Sequence, residues 1–254
     1  MQAYCIVGAR RGIGKTKLIE KIIEKLRERN VKVYTVKKSS KRIDIAEKDT
    51  SRHLNAGASL TLAVSPQDAA LFLRETDINK LIKEYIPKNG ITLIEGFKES
   101  KYPKIIIIET LEDLGLIEKL DSKFIIVCKD EEIKKTINQK FENLTTCTMN
   151  EIDFIANMII DDAIIKIFKE LPKVNCGLCG YQKCIEYARA IIHGEKTGKC
   201  PLKTRVKISV DGEEMRIKPY VETICRKIIE GFLSSLKGFD ERYKNIKIEL
   251  KREQ

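Results

Sequence analysis

A glycine-rich segment near the start of the chain has the residue types that bind phosphate. Residues 8–16 read Gly-Ala-Arg-Arg-Gly-Ile-Gly-Lys-Thr, and their last three residues match the end of a P-loop. In such a loop, backbone N–H groups and a helix N-terminus surround the phosphates, the lysine adds a positive charge, and the threonine hydroxyl binds Mg²⁺. The segment predicts a nucleotide-binding loop made of Ala9, Arg10, Arg11, Gly12, Ile13, Gly14, Lys15, Thr16 and Lys17.

Two positions of this loop depart from the usual pattern. Ala9 stands where the first glycine is expected, and Gly8 is one residue too early to replace it. Arg10 precedes Lys15 by five residues, which resembles the signature-lysine position of MinD-like and nitrogenase-iron-protein-like ATPases. An arginine there could reach phosphate, also across a dimer; a solvated surface arginine is the equal alternative.

A second candidate site consists of four clustered cysteines. Cys176, Cys179, Cys184 and Cys200 are separated by two, four and fifteen residues. Thiolates bind zinc or iron–sulfur clusters, and zinc ribbons usually present two Cys-x-x-Cys pairs where this segment has one. The pattern resembles the [4Fe-4S] domain of corrinoid iron–sulfur proteins and of some electron-transport subunits. We therefore predict a [4Fe-4S] cluster on these four ligands, with zinc or reduced thiols as alternatives.

The elements that must position these residues alternate between strand and helix in the first half of the chain. Short apolar runs predict strands, and the spacing of apolar residues after the loop predicts a helix over 15–29. The predicted strands are 3–7, 31–36, 91–94, 105–108 and 123–128. Continuous apolar strands separated by helices indicate an α/β fold with a mainly parallel, buried sheet. Ser65 is expected to cap a further helix.

The second half predicts smaller pieces. A helix over 151–171 leads to Pro172, the cysteine segment follows with a helix from Cys184 to Ile192, and Asp211-Gly212 predicts a hairpin. A helix over 220–237 and a strand over 246–250 end the chain. We expect a P-loop NTPase domain over 1–171, a small α-helical iron–sulfur module over 172–203 and an α+β segment over 204–254. The apolar residues of the helix over 220–237 are expected in the core, with a homodimer surface as the alternative.

Composition limits the class of protein further. A hydrophobic content of 43% supports a packed core, and the net charge of +11 favours anionic partners. No apolar run approaches the roughly 20 residues that span a bilayer. We expect a cytoplasmic protein without a membrane partner. Nucleic acid is not an expected partner, because the basic residues are diffuse and lack an aromatic stacking motif.

Three further segments, taken in order with the P-loop, carry a resemblance to a known family. Residues 48–58 read Lys-Asp-Thr-Ser-Arg-His-Leu-Asn-Ala-Gly-Ala, residues 91–98 read Ile-Thr-Leu-Ile-Glu-Gly-Phe-Lys, and residues 102–105 read Tyr-Pro-Lys-Ile. This series resembles the molybdopterin-guanine dinucleotide biosynthesis protein B (MobB) family. The resemblance implies a GTP-binding protein that assists attachment of GMP to molybdopterin, while a separate nucleotidyltransferase performs the transfer.

The resemblance also implies site residues. Lys15, Asp49 and Glu95 form the implied catalytic set, and Thr16, Asp49 and Glu95 the implied Mg²⁺ ligands; for both acids a local structural role is the alternative. The basic stretch 37–42 stands where the family carries histidines, and it could bind phosphate or be solvated. The Asn/Thr-Lys-x-Asp element of many GTPases is missing, with Cys128-Lys129-Asp130 only a faint echo.

The leading hypothesis is a slow Mg²⁺-dependent GTPase of molybdenum or tungsten cofactor maturation with a fused cluster domain. Its expected partner is the nucleotidyltransferase or a recipient metalloenzyme. One alternative is an ATP-dependent maturation factor for a metallocentre or corrinoid protein, in which the cluster transfers electrons. Another is an adaptor that binds nucleotide without useful hydrolysis.

Overall fold

A computed structural model describes residues 2–39, 48–195, 200, 206, 208–215, 217, 219–240, 246–248 and 250. For residues 48–51, 214, 219, 220 and 223 the description covers the backbone alone. The chain divides into two compact units, which are described separately. The first comprises Met1–Lys166 with Ala188–Lys196, and the second comprises Ile167–Tyr187 with Thr197–Gln254. The predicted division into three domains stays a prediction.

The first unit is built around strands that alternate with helices, and the last helix given below ends three residues beyond Lys166, within the second unit. In chain order these are β1 (Gln2–Gly8), α1 (Lys15–Glu28), β2 (Val33–Lys37), α2 (Lys48–Asn55), β3 (Leu60–Val64), β4 (Ala69–Leu73), α3 (Ile78–Tyr85), β5 (Ile91–Glu95), β6 (Lys104–Ile108), a 3₁₀ turn (Leu111–Leu114), α4 (Gly115–Lys119), β7 (Lys123–Cys128), α5 (Glu131–Lys140), β8 (Thr146–Thr148) and α6 (Ile152–Lys169). The predicted strands and the first helix are confirmed, with ends shifted by one or two residues.

Six of these strands form one sheet in the order β2-β5-β1-β6-β7-β8. All neighbouring pairs are parallel, as the continuous apolar runs predict. The strands on either side of β1, β5 and β6, come much later in the chain. Ligands of open α/β sheets bind where the strand order reverses, at the carboxyl ends of the strands. The end of β1 is therefore the expected position of a site.

The core lies on both faces of this sheet. β1 and β6 are buried along their whole length, which explains why their sequences are apolar without alternation. The helix α1 buries Leu18, Ile19, Ile22 and Leu26, the side chains that its periodicity places on one face.

The prediction of a helix capped by Ser65 is wrong. Residues 65–68 form the turn of an antiparallel hairpin between β3 and β4. The Ser65 Oγ accepts hydrogen bonds from the N–H groups of Gln67 and Asp68 at 3.3 and 2.9 Å, so it caps a turn instead. Serine stabilises both structures by the same kind of side-chain-to-backbone bond, and its local sequence does not separate them.

The second unit contains the cysteine segment and the smaller elements. Its described part includes the start of α7 (Cys184–Ile192), β9 (Ile208–Val210), β10 (Glu213–Met215) and α8 (Pro219–Ser234). The two strands pair antiparallel around Asp211 and Gly212, which have positive φ of 52° and 87° as a two-residue hairpin turn requires. None of the described helices is long and apolar enough to cross a membrane.

Two expectations for the second unit differ from the structure. Residues 246–248 and 250, predicted as a strand, lie outside the described strands. The expected core face of α8 is instead largely exposed at Ile224, Ile228 and Phe232, with 52, 66 and 63% of each residue accessible. Apolar periodicity predicts a one-sided helix but does not say what covers that side.

Candidate functional site

The glycine-rich loop lies at the carboxyl end of β1, where α1 begins. Gly14 precedes the helix with φ of 90°, a left-handed conformation that favours glycine. Among the described residues, no side chain caps this helix end. The first N–H groups of a helix have no partner within it and carry partial positive charge, so this end can bind an anion.

Gly8 has a packing role in the loop. A Cβ atom at this position would lie 2.5 Å from the Cγ2 of Ile13, and Ile13 is buried. The loop therefore turns Ile13 back against the end of β1. This approach explains the glycine one residue before the usual position, and Ala9 then begins the loop itself.

Lys15, Thr16 and Glu95 come together beside this loop. The Lys15 Nζ donates to the backbone carbonyl of Arg10 at 2.8 Å, and the Thr16 hydroxyl donates to the Glu95 Oε2 at 3.2 Å. The Lys37 Nζ is 3.5 Å from the same carboxylate oxygen. Sequence positions 15, 16 and 95 are thus joined because β5 pairs beside β1 in the sheet.

The electrostatic environment of Lys15 suits an anionic ligand. Partial burial lowers the pKa of Lys15; the Glu95 carboxylate opposes this by favouring the charged form, and Lys98 lowers the pKa further. The lowered pKa means that partial burial and the like charge of Lys98 together outweigh the attraction of Glu95. An incoming phosphate would favour the charged ammonium by supplying negative charge.

Arg10 makes its described contacts within the chain. Its Nη1 lies 2.9 Å from the Asp113 Oδ1 and its Nη2 lies 2.5 Å from the Glu109 Oε2. Both carboxylates follow β6, in the segment that contains the 3₁₀ turn. Arg10 is therefore not an unpaired surface arginine, and its predicted contact with phosphate stays a prediction.

Sequence reasoning missed how the segment between β5 and β6 is held. Lys104 is only 1% exposed, and its Nζ donates to the carbonyls of Ser100 and Tyr102 at 2.6 and 3.3 Å. Phe97 has a positive φ of 66°, and the Lys38 Nζ lies 4.8 Å from the centre of its ring. The sequence signal for a buried lysine was the position of Lys104 directly before four isoleucines.

Two other predicted features have different outcomes. The side chain of Asp49, in α2, lies outside the described residues, as do residues 40–42 of the basic stretch. The Asp130 carboxylate accepts a hydrogen bond from the Ile133 N–H at 3.0 Å and caps α5. The faint GTPase-like echo at Cys128-Lys129-Asp130 thus has a structural role here.

The four clustered cysteines line one pocket of the second unit. Cys176, Cys179, Cys184 and Cys200 form its walls together with Leu171, Pro172, Val174, Gly177, Tyr181 and Tyr187. Cys184 begins α7, and its N–H donates to the Asn175 Oδ1 at 2.9 Å. Gly177 has a positive φ of 72°, which lets the loop curve around the pocket.

The remaining cysteines are of a different kind. Cys5, Cys128 and Cys147 are buried in the first unit, and burial raises the pKa of Cys128 to about 11 and that of Cys147 to about 12. All eight cysteines are among the described residues, and none forms a disulfide bond. Buried neutral thiols are ordinary core residues.

The parallel sheet, its strand order and the loop between β1 and α1 define an α/β protein of the P-loop class, here joined to a four-cysteine module. The family model for molybdopterin guanine dinucleotide synthesis protein B (MobB) matches residues 4–130, half of the chain. A second model, described as "Putative Fe-S cluster", matches residues 171–202. The chain belongs to the MobB family.

Two relatives in sequence agree with this assignment. A "Putative molybdopterin-guanine dinucleotide biosynthesis adapter protein" of Methanocaldococcus jannaschii is 27% identical over 241 residues, which cover 93% of this chain and 92% of that protein. A "Probable molybdopterin-guanine dinucleotide biosynthesis adapter protein" of Bacillus subtilis is 34% identical over 126 residues, 47% of this chain and 73% of that protein. The solved structure of Bacillus subtilis MobB is 24% identical with a TM-score of 0.49, covering 62% of this chain and 97% of that one.

Proposed function

We propose that this chain binds GTP with Mg²⁺ at its P-loop and serves as an adapter in molybdopterin-guanine dinucleotide biosynthesis. The observation that carries the proposal is the 3.2 Å hydrogen bond between the Thr16 hydroxyl and the Glu95 carboxylate. It joins a P-loop threonine to an acid at the end of the neighbouring strand. The hydroxyl at the start of α1 and the carboxylate at the end of β5 are oxygen donors of the kind that Mg²⁺ prefers.

Each residue of this site has a distinct proposed role. The N–H groups at the start of α1 and the Lys15 ammonium bind the phosphates, and Lys15 exchanges its bond to the Arg10 carbonyl for a phosphate oxygen. Thr16 and Glu95 would hold Mg²⁺, with Asp49 as a further ligand implied by sequence. A Mg²⁺ ion held there would supply positive charge that offsets the charge of the phosphate oxygens.

The proposed action is slow hydrolysis that changes how the chain contacts its partners. The relatives are described as adapter proteins, so we propose the molybdenum or tungsten cofactor nucleotidyltransferase, or a recipient metalloenzyme, as the partner. We also propose that the chain acts in the cytoplasm and forms a homodimer.

Equilibrium binding of a fluorescent GTP analogue, with Mg²⁺ or with EDTA, tests the nucleotide site. Lys15→Ala should weaken binding in both conditions, because the lysine contacts phosphate directly. Thr16→Val should remove most of the Mg²⁺ dependence. Lys119→Ala, an exposed lysine of α4, is the matched control and should behave as wild type. An affinity of Lys15→Ala equal to that of wild type would contradict the proposal.

We further propose that Cys176, Cys179, Cys184 and Cys200 hold a [4Fe-4S] cluster. All four cysteines line one pocket with apolar walls. Among the described residues, no group of three His, Cys, Asp or Glu side chains is placed to hold a single metal ion. Four thiolates are the usual ligands of a [4Fe-4S] cluster, which would supply one-electron chemistry.

The cluster is tested by measuring iron, acid-labile sulfide and absorbance at about 400 nm in anaerobically purified protein. Cys179→Ser should lose the absorbance and most of the iron. Cys225→Ser is the matched control from the same unit, because Cys225 lies in α8 and not in the pocket. A colourless protein with one zinc would overturn the cluster assignment.

A further inference from the structure

Arg10 joins the P-loop to the segment that follows β6. Its guanidinium forms the ion pairs with Asp113 and Glu109 at 2.9 and 2.5 Å. The three partners differ in exposure: 46% of the Arg10 side chain and 37% of the Glu109 side chain are accessible, against 3% for Asp113. Arg10 therefore reaches from the surface of the loop to a buried carboxylate.

Asp113 is held in place from the other side by the backbone. Its Oδ2 accepts hydrogen bonds from the N–H groups of Glu109 and Thr110, both at 3.0 Å, while its Oδ1 receives the Arg10 guanidinium. A buried carboxylate is stable only when it is hydrogen-bonded and paired with a cation. Arg10 is the cation among its described partners.

The backbone of Arg10 takes part in the same arrangement. Its carbonyl oxygen accepts the hydrogen bond from the Lys15 Nζ at 2.8 Å. Arg10 thus connects Lys15 to Asp113, because its carbonyl accepts from the lysine and its side chain pairs with the buried carboxylate. Movement of the Arg10 side chain would release the loop backbone that orients Lys15.

We propose that Asp113 is a positioning residue of the nucleotide site, which fixes the P-loop before nucleotide arrives by tethering Arg10. The inference rests on the proposed nucleotide binding for its functional consequence. It assigns Arg10 to a tether within the chain, and not to a contact with phosphate. To reach a phosphate, the guanidinium would have to leave two carboxylates, one of them buried.

Hydrogen exchange of the full chain without nucleotide tests the tether directly. Asp113→Asn and Arg10→Ala should both accelerate exchange of the P-loop amides, residues 12–16, by about tenfold or more because local opening becomes easier. Glu112→Gln, an exposed neighbour of Asp113, is the control and should leave exchange unchanged. Unchanged exchange in both Arg10→Ala and Asp113→Asn would overturn the proposal.

Affinities for GTP and GDP separate the tether from a phosphate contact. A tether predicts that Asp113→Asn and Arg10→Ala weaken both nucleotides by similar factors, about tenfold, and that the double variant is no weaker than the weaker single one. Arg10→Lys should recover part of the affinity, since it can still pair with one carboxylate. If Arg10 contacts phosphate, Asp113→Asn should leave GTP binding unchanged or tighten it, and Arg10→Ala should weaken GTP far more than GDP.

Nucleotide binding and hydrogen exchange test the proposed function and the proposed tether separately. Wild-type protein that binds neither nucleotide would refute the proposed function, whereas the exchange measurement would still decide whether Asp113 orders the loop. Arg10→Ala leaves the buried Asp113 carboxylate without its cation, so the double variant of Arg10→Ala with Asp113→Asn, which removes both charges, gives a second readout if a single variant lowers stability.

Discussion

Replacing Gly8 with alanine should damage the P-loop by a clash that the structure locates. The added Cβ would lie 2.5 Å from the Ile13 Cγ2, 3.4 Å from its Cδ1 and 3.7 Å from the Ile107 carbonyl oxygen. The Cγ2 atom is attached to a branched Cβ, so it cannot move away by rotating a flexible chain end. Ile13 is 5% exposed, and forcing extra volume into such a site costs about 1–3 kcal/mol.

Thermal unfolding followed by calorimetry measures this cost. For a chain of this size, 1 kcal/mol corresponds to about 2–4 °C, so Gly8→Ala should lower Tm by about 2–12 °C. GTP affinity should fall as well, because Ile13 lies between Gly12 and Gly14 of the loop. Ile13→Ala removes the clashing atoms, so the double variant should be more stable than the sum of the single effects by about 1–3 kcal/mol.

A neutral Gly8→Ala would refute this account of the loop. So would a destabilised Gly8→Ala whose effect adds fully to that of Ile13→Ala, because the clash would then lie elsewhere. The φ of Gly8 is not positive, so backbone strain does not offer a competing explanation for a loss of stability.

Three further changes test other contacts of the first unit. Tyr4→Phe should destabilise by about 1.5–3 kcal/mol in denaturant titration, because the buried hydroxyl lies 2.6 Å from the Asp162 carboxylate; an unchanged midpoint would contradict this. Lys104→Met should cost about 1–3 kcal/mol by leaving two partly buried carbonyls without their donor, whereas Lys101→Met at the exposed neighbour should not. The Lys134 ammonium and then the Thr148 N–H hold the pKa of Glu151 below its usual value. The contribution of the Glu151 carboxylate to folding stability is therefore present at pH values above the ordinary glutamate pKa and is lost on acidification. Wild type should therefore lose more stability than Glu151→Gln between about pH 6 and pH 3, and equal losses would exclude this role.

The sheet could be predicted from sequence because its strands are buried on both faces. Apolar runs such as 105–108 have few alternatives in a chain of this composition, and the Asp211-Gly212 turn specifies its own backbone conformation. The start of α7 at Cys184 was also predictable from the cysteine segment. In each case the decisive information is local.

The features that sequence did not predict depend on residues far apart in the chain. Arg10 meets Asp113 only because β1 and β6 pair in the sheet, and the bonds of Lys104 depend on the path of the preceding loop. Ser65 satisfies its hydroxyl equally well in a turn or at a helix start, so the local signal was ambiguous. The exposure of Ile228 depends on what lies against α8, which periodicity does not encode.

The affinity ratio for GTP and ATP, measured with Mg²⁺ on anaerobically purified full-length protein, tests the central claim most directly. The proposed adapter role predicts a clear preference for GTP. Thr16→Val should lose the Mg²⁺ dependence of binding and keep that preference, because GTP and ATP carry the same triphosphate. A clear preference for ATP would contradict that role and favour the alternative of a metallocentre or corrinoid maturation factor.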